Sequence, residues 1–84
     1  MYVYLMRSQL DENRKYVGLT SNIDRRLAEH NEGKADATYK FKPWRLEVAF
    51  WFAEENKAKA FESYLKSGSG REFANKRLWR NDNH

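Results

Sequence analysis

Tyr2-Val3-Tyr4-Leu5-Met6-Arg7 opens the chain, and Lys15-Tyr16-Val17-Gly18-Leu19 follows after a polar link. Both stretches are rich in the aromatic and β-branched side chains that fit a pleated, half-buried surface. Between them, residues 9–13 contain Asp11-Glu12-Asn13, a polar turn. Two strands joined by so short a link predict an antiparallel hairpin. Glycine within a strand costs stability and often marks a bulge or a close backbone approach. Gly18 reads in that way, or as a plain turn glycine. The hairpin puts Tyr4 and Tyr16 on neighbouring strands, although the pattern does not set their register. Taken as strand residues alone, both tyrosines read as packing.

Further along, Thr20-Ser21-Asn22 offers capping oxygens, and Ile23 and Leu27 are one helical turn apart. The pattern predicts a helix over 22–32, stopped by Gly33, which is free to take a positive φ. Residues 34–43 are polar and basic and read as a loop, and 44–52 as a third strand. Ala58, Phe61 and Leu65 form one apolar stripe on a second helix over 54–66, with Glu54 and Glu55 at its positive end. Ser67-Gly68-Ser69-Gly70 breaks the chain, and Ser69 with Glu72 fits a capping box at the start of a third helix over 70–79. The order is ββαβαα, an α+β domain. Residues 1–80 are expected to form a single domain, with 81–84 a short frayed tail.

The chain has 84 residues, too few for separate cofactor and substrate lobes. Its mean hydropathy is −1.02, so the core must be small and helped by its 15% aromatic content. It has no cysteine, which excludes disulfides, thiolate zinc and a cysteine nucleophile. No apolar run is long enough to span a membrane, and no signal peptide is evident, so a cytoplasmic location is expected.

Sixteen Lys+Arg against twelve Asp+Glu give a net charge of +4. Residues 66–80 carry five basic groups and one acidic group, and residues 34–45 carry four and one. Two basic segments on a slightly acidic body suggest a polyanion surface, or only a soluble one. Arg26 and His30 share a helix face, a pair suited to clamping a phosphate or lying exposed. Glu62 and Lys66 are likewise one turn apart. They read as a surface ion pair, or as a carboxylate that holds Mg²⁺ with water and substrate phosphate completing the shell. Asn75 and its basic neighbours could touch a nucleic-acid backbone. There is no catalytic-triad order, phosphate-binding Walker loop or HExxH pair.

In this order, Tyr2-Val3-Tyr4, Tyr16-Val17-Gly18 and the run from Thr20 to Asn31 resemble the GIY-YIG endonuclease superfamily. Lys42-Pro43-Trp44-Arg45-Leu46 is similar to that family's third-strand start, and Glu62-Ser63-Tyr64-Leu65-Lys66 to its acidic helix. Tyr2 stands where the family has glycine, and Val3 and Val17 where it has isoleucine. The resemblance covers nearly the whole chain and is to the small stand-alone branch. It implies a three-stranded antiparallel sheet flanked by helices, and DNA phosphodiester hydrolysis with one Mg²⁺ or Mn²⁺. The roles implied are repair, recombination or mobile-element processing.

By the same resemblance, Tyr4, Tyr16, Arg26, His30 and Glu62 are catalytic, with Glu62 on the metal and Gly18 the motif glycine. Tyr4 ranks first as general base, helped by the metal, Arg26 or Lys15. Lys34, Lys40, Lys42, Lys66, Arg71, Asn75, Lys76 and Arg77 are the expected DNA contacts. The expected partners are DNA and a targeting protein or a second copy, with no membrane and no organic cofactor. Two other readings compete. One is a nucleic-acid-binding module without cleavage activity. The other is a protein-interaction domain with an exposed patch of Trp44, Trp51 and Trp79.

Overall fold

The computed structural model describes residues 1–80, so the tail expected to fray, 81–84, lies outside the described residues. Strand β1 (Tyr2–Ser8) is the centre of a three-stranded antiparallel sheet, between β2 (Lys15–Thr20) and β3 (Trp44–Trp51). Helix α1 (Ile23–Asn31) connects β2 to β3, and α2 (Glu55–Lys66) and α3 (Gly68–Arg77) follow. Helix α1 packs on β3, α2 on β2 and β1, and α3 on α2. This is the predicted ββαβαα order. Among the described residues, no helix is long and apolar enough to cross a membrane.

Alternation along β1 splits the core in two. Val3 and Leu5 pack with Ala58, Leu65 and Ala74 of α2 and α3. Tyr4 and Met6 pack on the other face with Ile23 and Leu27 of α1 and with Trp44. All four strand residues are at most 2% exposed, as a central strand covered on both faces must be. In β3 the alternation is broken. Leu5 faces Val48 and Met6 faces Leu46, so Glu47 is an extra, bulged residue. The bulge lets Leu46 join the α1 face and Val48 the α2 face, although they are two apart.

Local signals explain most boundaries. Asn22 caps α1, its side chain accepting from Arg25 N at 3.0 Å, and Gly33 takes φ +78° just past the helix. The third helix differs from expectation. It starts at Gly68, and its cap is Ser67, which accepts from Gly70 N at 3.1 Å. Ser67 N also donates to Tyr64 O, so one serine ends α2 and begins α3. The predicted four-residue break is therefore one residue long. Ser69 lies inside the helix, and Glu72 pairs with Lys76 at 3.2 Å instead of capping. The loop over 34–43 contains a 3-10 turn, Tyr39–Phe41, that periodicity did not predict. Trp44 is 4% exposed, which dismantles the supposed tryptophan patch. Trp51 alone of the three is well exposed.

Candidate active site

Tyr4 lies directly opposite Gly18 across the β1–β2 ladder. A Cβ on Gly18 would lie 2.5 Å from the Tyr4 ring and hydroxyl. Gly18 is therefore the close-approach glycine: its bare Cα lets the Tyr4 ring lie flat over β2. The phenol then reaches His30 Nε2 at 2.8 Å, within the buried layer under α1. Tyr16, one diagonal step away, has its ring 6.1 Å from that of Tyr4 and 5.2 Å from His30, edge-on. The sequence reading has His30 either clamping a phosphate with Arg26 or lying exposed. The structure buries it completely, with Nδ1 2.6 Å from Thr38 Oγ1. The third face of the imidazole is thus closed by the aromatic rings, and no buried side-chain polar atom among the described residues lacks a partner.

Burial dominates the electrostatics of this cluster. It pushes the Tyr4 phenol up to about 12, and the neighbouring Arg26 pulls the other way. It lowers His30, with the Arg26 charge adding to the effect and Glu29 opposing it. Both groups are therefore neutral near pH 7. Arg26 is half-buried and held by Glu29 at 3.0 Å, which raises its own affinity for its proton, with Tyr4 adding to this. Tyr4, Tyr16, Arg26 and His30 thus meet at one spot. Sequence reasoning had suggested Lys15 as a helper for the tyrosine. Lys15 instead points to the opposite sheet face, donating to Asn75 Oδ1 at 3.2 Å and lying 5.3 Å from the Trp79 ring. Odd and even strand residues face opposite ways, so Lys15 cannot share a face with Tyr16.

Beside β2, an edge strand, lies a groove of about 490 Å³. Lys15, Lys66 and Arg71 supply cations, Asn13 and Asn75 amides, and Trp79 aromatic surface, with Tyr16 on the edge strand at its border. Tyr16 is the half-buried link between this groove and the His30 cluster. Glu62 sits one turn before Lys66 and pairs with it, its side chain 16% exposed. Of the expected DNA contacts, Lys66, Arg71 and Asn75 come together here. Lys76 and Arg77 are exposed elsewhere on α3. Lys34, Lys40 and Lys42 stay on the 34–43 loop, with Lys34 paired to Glu32 at 2.9 Å and Lys42 folded over Gly33. Sequence reasoning missed Thr38, Asn31, Trp79 and the groove role of Lys15. Asn31 bonds both the N–H and the carbonyl of Trp44, fixing the end of α1 to β3.

A tyrosine pair backed by arginine and histidine thus gathers under α1 of this α+β domain, and a cationic groove runs along its edge strand. The chain belongs to the GIY-YIG family: the GIY-YIG catalytic domain profile matches residues 1–77. This is an endonuclease family that acts on DNA and generally depends on a divalent metal. Among solved structures, the chain is similar to the solution NMR structure of the UPF0213 protein BH0048 from Bacillus halodurans. The two are 29% identical with a TM-score of 0.53, over 89% of this chain and 81% of that one. No curated protein matches significantly.

Proposed function

We propose that the protein is a DNA endonuclease that hydrolyses a phosphodiester bond with one Mg²⁺ or Mn²⁺ held by Glu62. The observation carrying this reading is Tyr16, which touches the His30 ring and lines the cationic groove at once. Lys66, Arg71 and Asn75 would seat a backbone phosphate along the edge of β2, and Tyr16 is the one residue shared by the groove and the proton-handling cluster. The donor set fits a hard divalent cation completed by substrate. Glu62 is a lone carboxylate, and no cluster of three His, Cys, Asp or Glu occurs among the described residues. A cation of this kind takes one or two protein carboxylates and fills its shell with water and phosphate oxygens. When bound, it supplies charge neutralisation at the phosphate and leaving oxygen.

The residues divide the remaining work. Water attacks phosphorus in line, its O–P bond forming as the bond to the 3′-oxygen breaks. Tyr16 positions the water at the groove. The water proton passes to the Tyr4 oxygen as the phenol gives its own proton to His30 Nε2, 2.8 Å away. This concerted transfer avoids a free tyrosinate, which a phenol near 12 disfavours. His30 Nε2 faces the Tyr4 phenol, so it acts through Tyr4 and not on the water itself. Arg26 lies beside Tyr4 and stabilises negative charge on the scissile phosphate.

The test is incubation with plasmid and branched DNA in Mg²⁺ or Mn²⁺. Wild type nicks, while Glu62→Ala binds without nicking. Equal nicking by the two would sink the assignment, and binding without nicking by wild type would leave a nucleic-acid-binding module.

A further inference from the structure

The 34–43 loop contains one side chain that neither its basic character nor its expected DNA contacts explain. Thr38 is 1% exposed and is the one buried residue of that segment. Its hydroxyl has two neighbours, His30 Nδ1 at 2.6 Å and Ala35 O at 3.4 Å. If the hydroxyl proton goes to Ala35, whose carbonyl only accepts, the oxygen presents a lone pair to the imidazole. Nδ1 then carries the ring's one proton. Nε2 is left bare, aimed at the Tyr4 phenol. The threonine is itself anchored: Trp44 Nε1 donates to Thr38 O at 2.9 Å, and Thr38 N donates to Ala35 O at 3.1 Å. In that arrangement donation runs one way, from Tyr4 to His30 to Thr38 to the loop backbone.

We propose that Thr38 is a positioning residue that locks His30 in the Nδ1–H tautomer, so that Nε2 can accept the Tyr4 proton. The proposal rests on the reading in which Tyr4 and His30 handle the proton of the attacking water. Without Thr38, the neutral ring could carry its proton on Nε2. It would then donate to Tyr4, and the phenol would have nowhere to send its proton. Thr38 acts only through His30. Its expected signature is a loss in kcat without a loss of DNA affinity.

Imidazole ¹⁵N chemical shifts at neutral pH read the tautomer directly, with His84→Gln assigning the second histidine. Wild type and Thr38→Ser are expected to show His30 protonated on Nδ1 only. Thr38→Val, which keeps the shape but removes the hydroxyl, is expected to show a mixture of tautomers. In the nicking assay Thr38→Val should lose up to about 10²-fold in kcat, the lower range for a positioned acid–base group, with KM unchanged. Thr38→Ser should restore it. An Nε2–H ring in wild type overturns the proposal, as does an unchanged tautomer in Thr38→Val. If Thr38→Val does not fold, the wild-type and Thr38→Ser tautomers decide. A wild type that never nicks overturns the endonuclease reading instead, and the ¹⁵N shifts still decide the role of Thr38.

Discussion

The two faces of the sheet differ in what their cores carry. Toward α2 and α3, the buried side chains are Val3, Leu5, Ala58, Leu65 and Ala74, and contact is purely apolar. Toward α1, the buried layer holds Tyr4, His30 and Thr38, whose polar atoms form one hydrogen-bonded line. Apolar burial stabilises without direction, whereas a buried polar line gains little net stability and is costly if any member is lost. Both faces carry an apolar core, and the α1 face in addition spends volume on placing protons. The cationic side chains of the groove beside β2 have the least to do with stability.

If this division is right, the largest effect on stability belongs to the α3 layer. A Cβ on Gly70 would lie 1.7 Å from Tyr64 O, a backbone atom that cannot swing away. Gly70→Ala is expected to lose about 3 kcal/mol or more, since α3 must lift off α2. Gly68→Ala, where a Cβ meets nothing within 4 Å, is the control. Thermal unfolding checks both: for a domain of this size, each kcal/mol moves Tm by about 4–8 °C. Similar Tm values for the two variants would break the comparison at its strongest point.

The polar face should reveal itself by pH dependence. The folded-state value of Tyr4 is raised from 10.0 to about 12. A raised value means that the unfolded chain loses this proton first as pH increases. The stability tied to neutral Tyr4 is thus fully present below pH 10 and is lost as pH rises from 10 toward 12. Two units correspond to about 2–3 kcal/mol. Denaturant unfolding between those pH values should show this loss in wild type. In Tyr4→Phe the Tyr4 share of the slope should vanish. An identical alkaline slope in both proteins would mean that the buried phenol is not the group responsible.

These differences also explain what could be read in advance. The strands, α1 with its Asn22 cap, and the apolar stripe of α2 follow from local patterns that need no knowledge of partners. Gly18 was half legible, since its strand position fitted a close approach or a plain turn, and the Tyr4 ring decides for the first. The bulge at Glu47 was hidden because Leu46 and Val48 look like one face until pairing with β1 is known. Ser67 was passed over for Ser69 because either serine could cap, and tight α2–α3 packing on Gly70 chose between them. The candidate site was half legible. Tyr4, Tyr16, Arg26 and His30 do converge, but burial of His30 is a tertiary fact, produced by the loop closing Thr38 over it. A lone threonine in a basic loop carries no local signal of that. Lys15 was misplaced because its strand position was read as proximity and not as parity.

The smallest effect on stability, and the finest test of the division, lies at the groove. Arg71 lines it, whereas Lys59 is exposed on α2 and engaged with Glu55 at 2.9 Å. Neither is part of a core, so Arg71→Ala and Lys59→Ala should each stay within about 0.5 kcal/mol of wild type. Their DNA binding should separate them. Each phosphate contact releases counterions and contributes about 0.9 to the slope of log affinity against log salt. Arg71→Ala is expected to flatten that slope by about one contact, while Lys59→Ala leaves it unchanged. Binding titrations on one DNA duplex across a salt series measure both. Equal flattening by the two would mean that DNA reads general surface charge and not the groove. The link through Tyr16 from groove to buried proton line would then lose its meaning, because no particular phosphate would be brought to it.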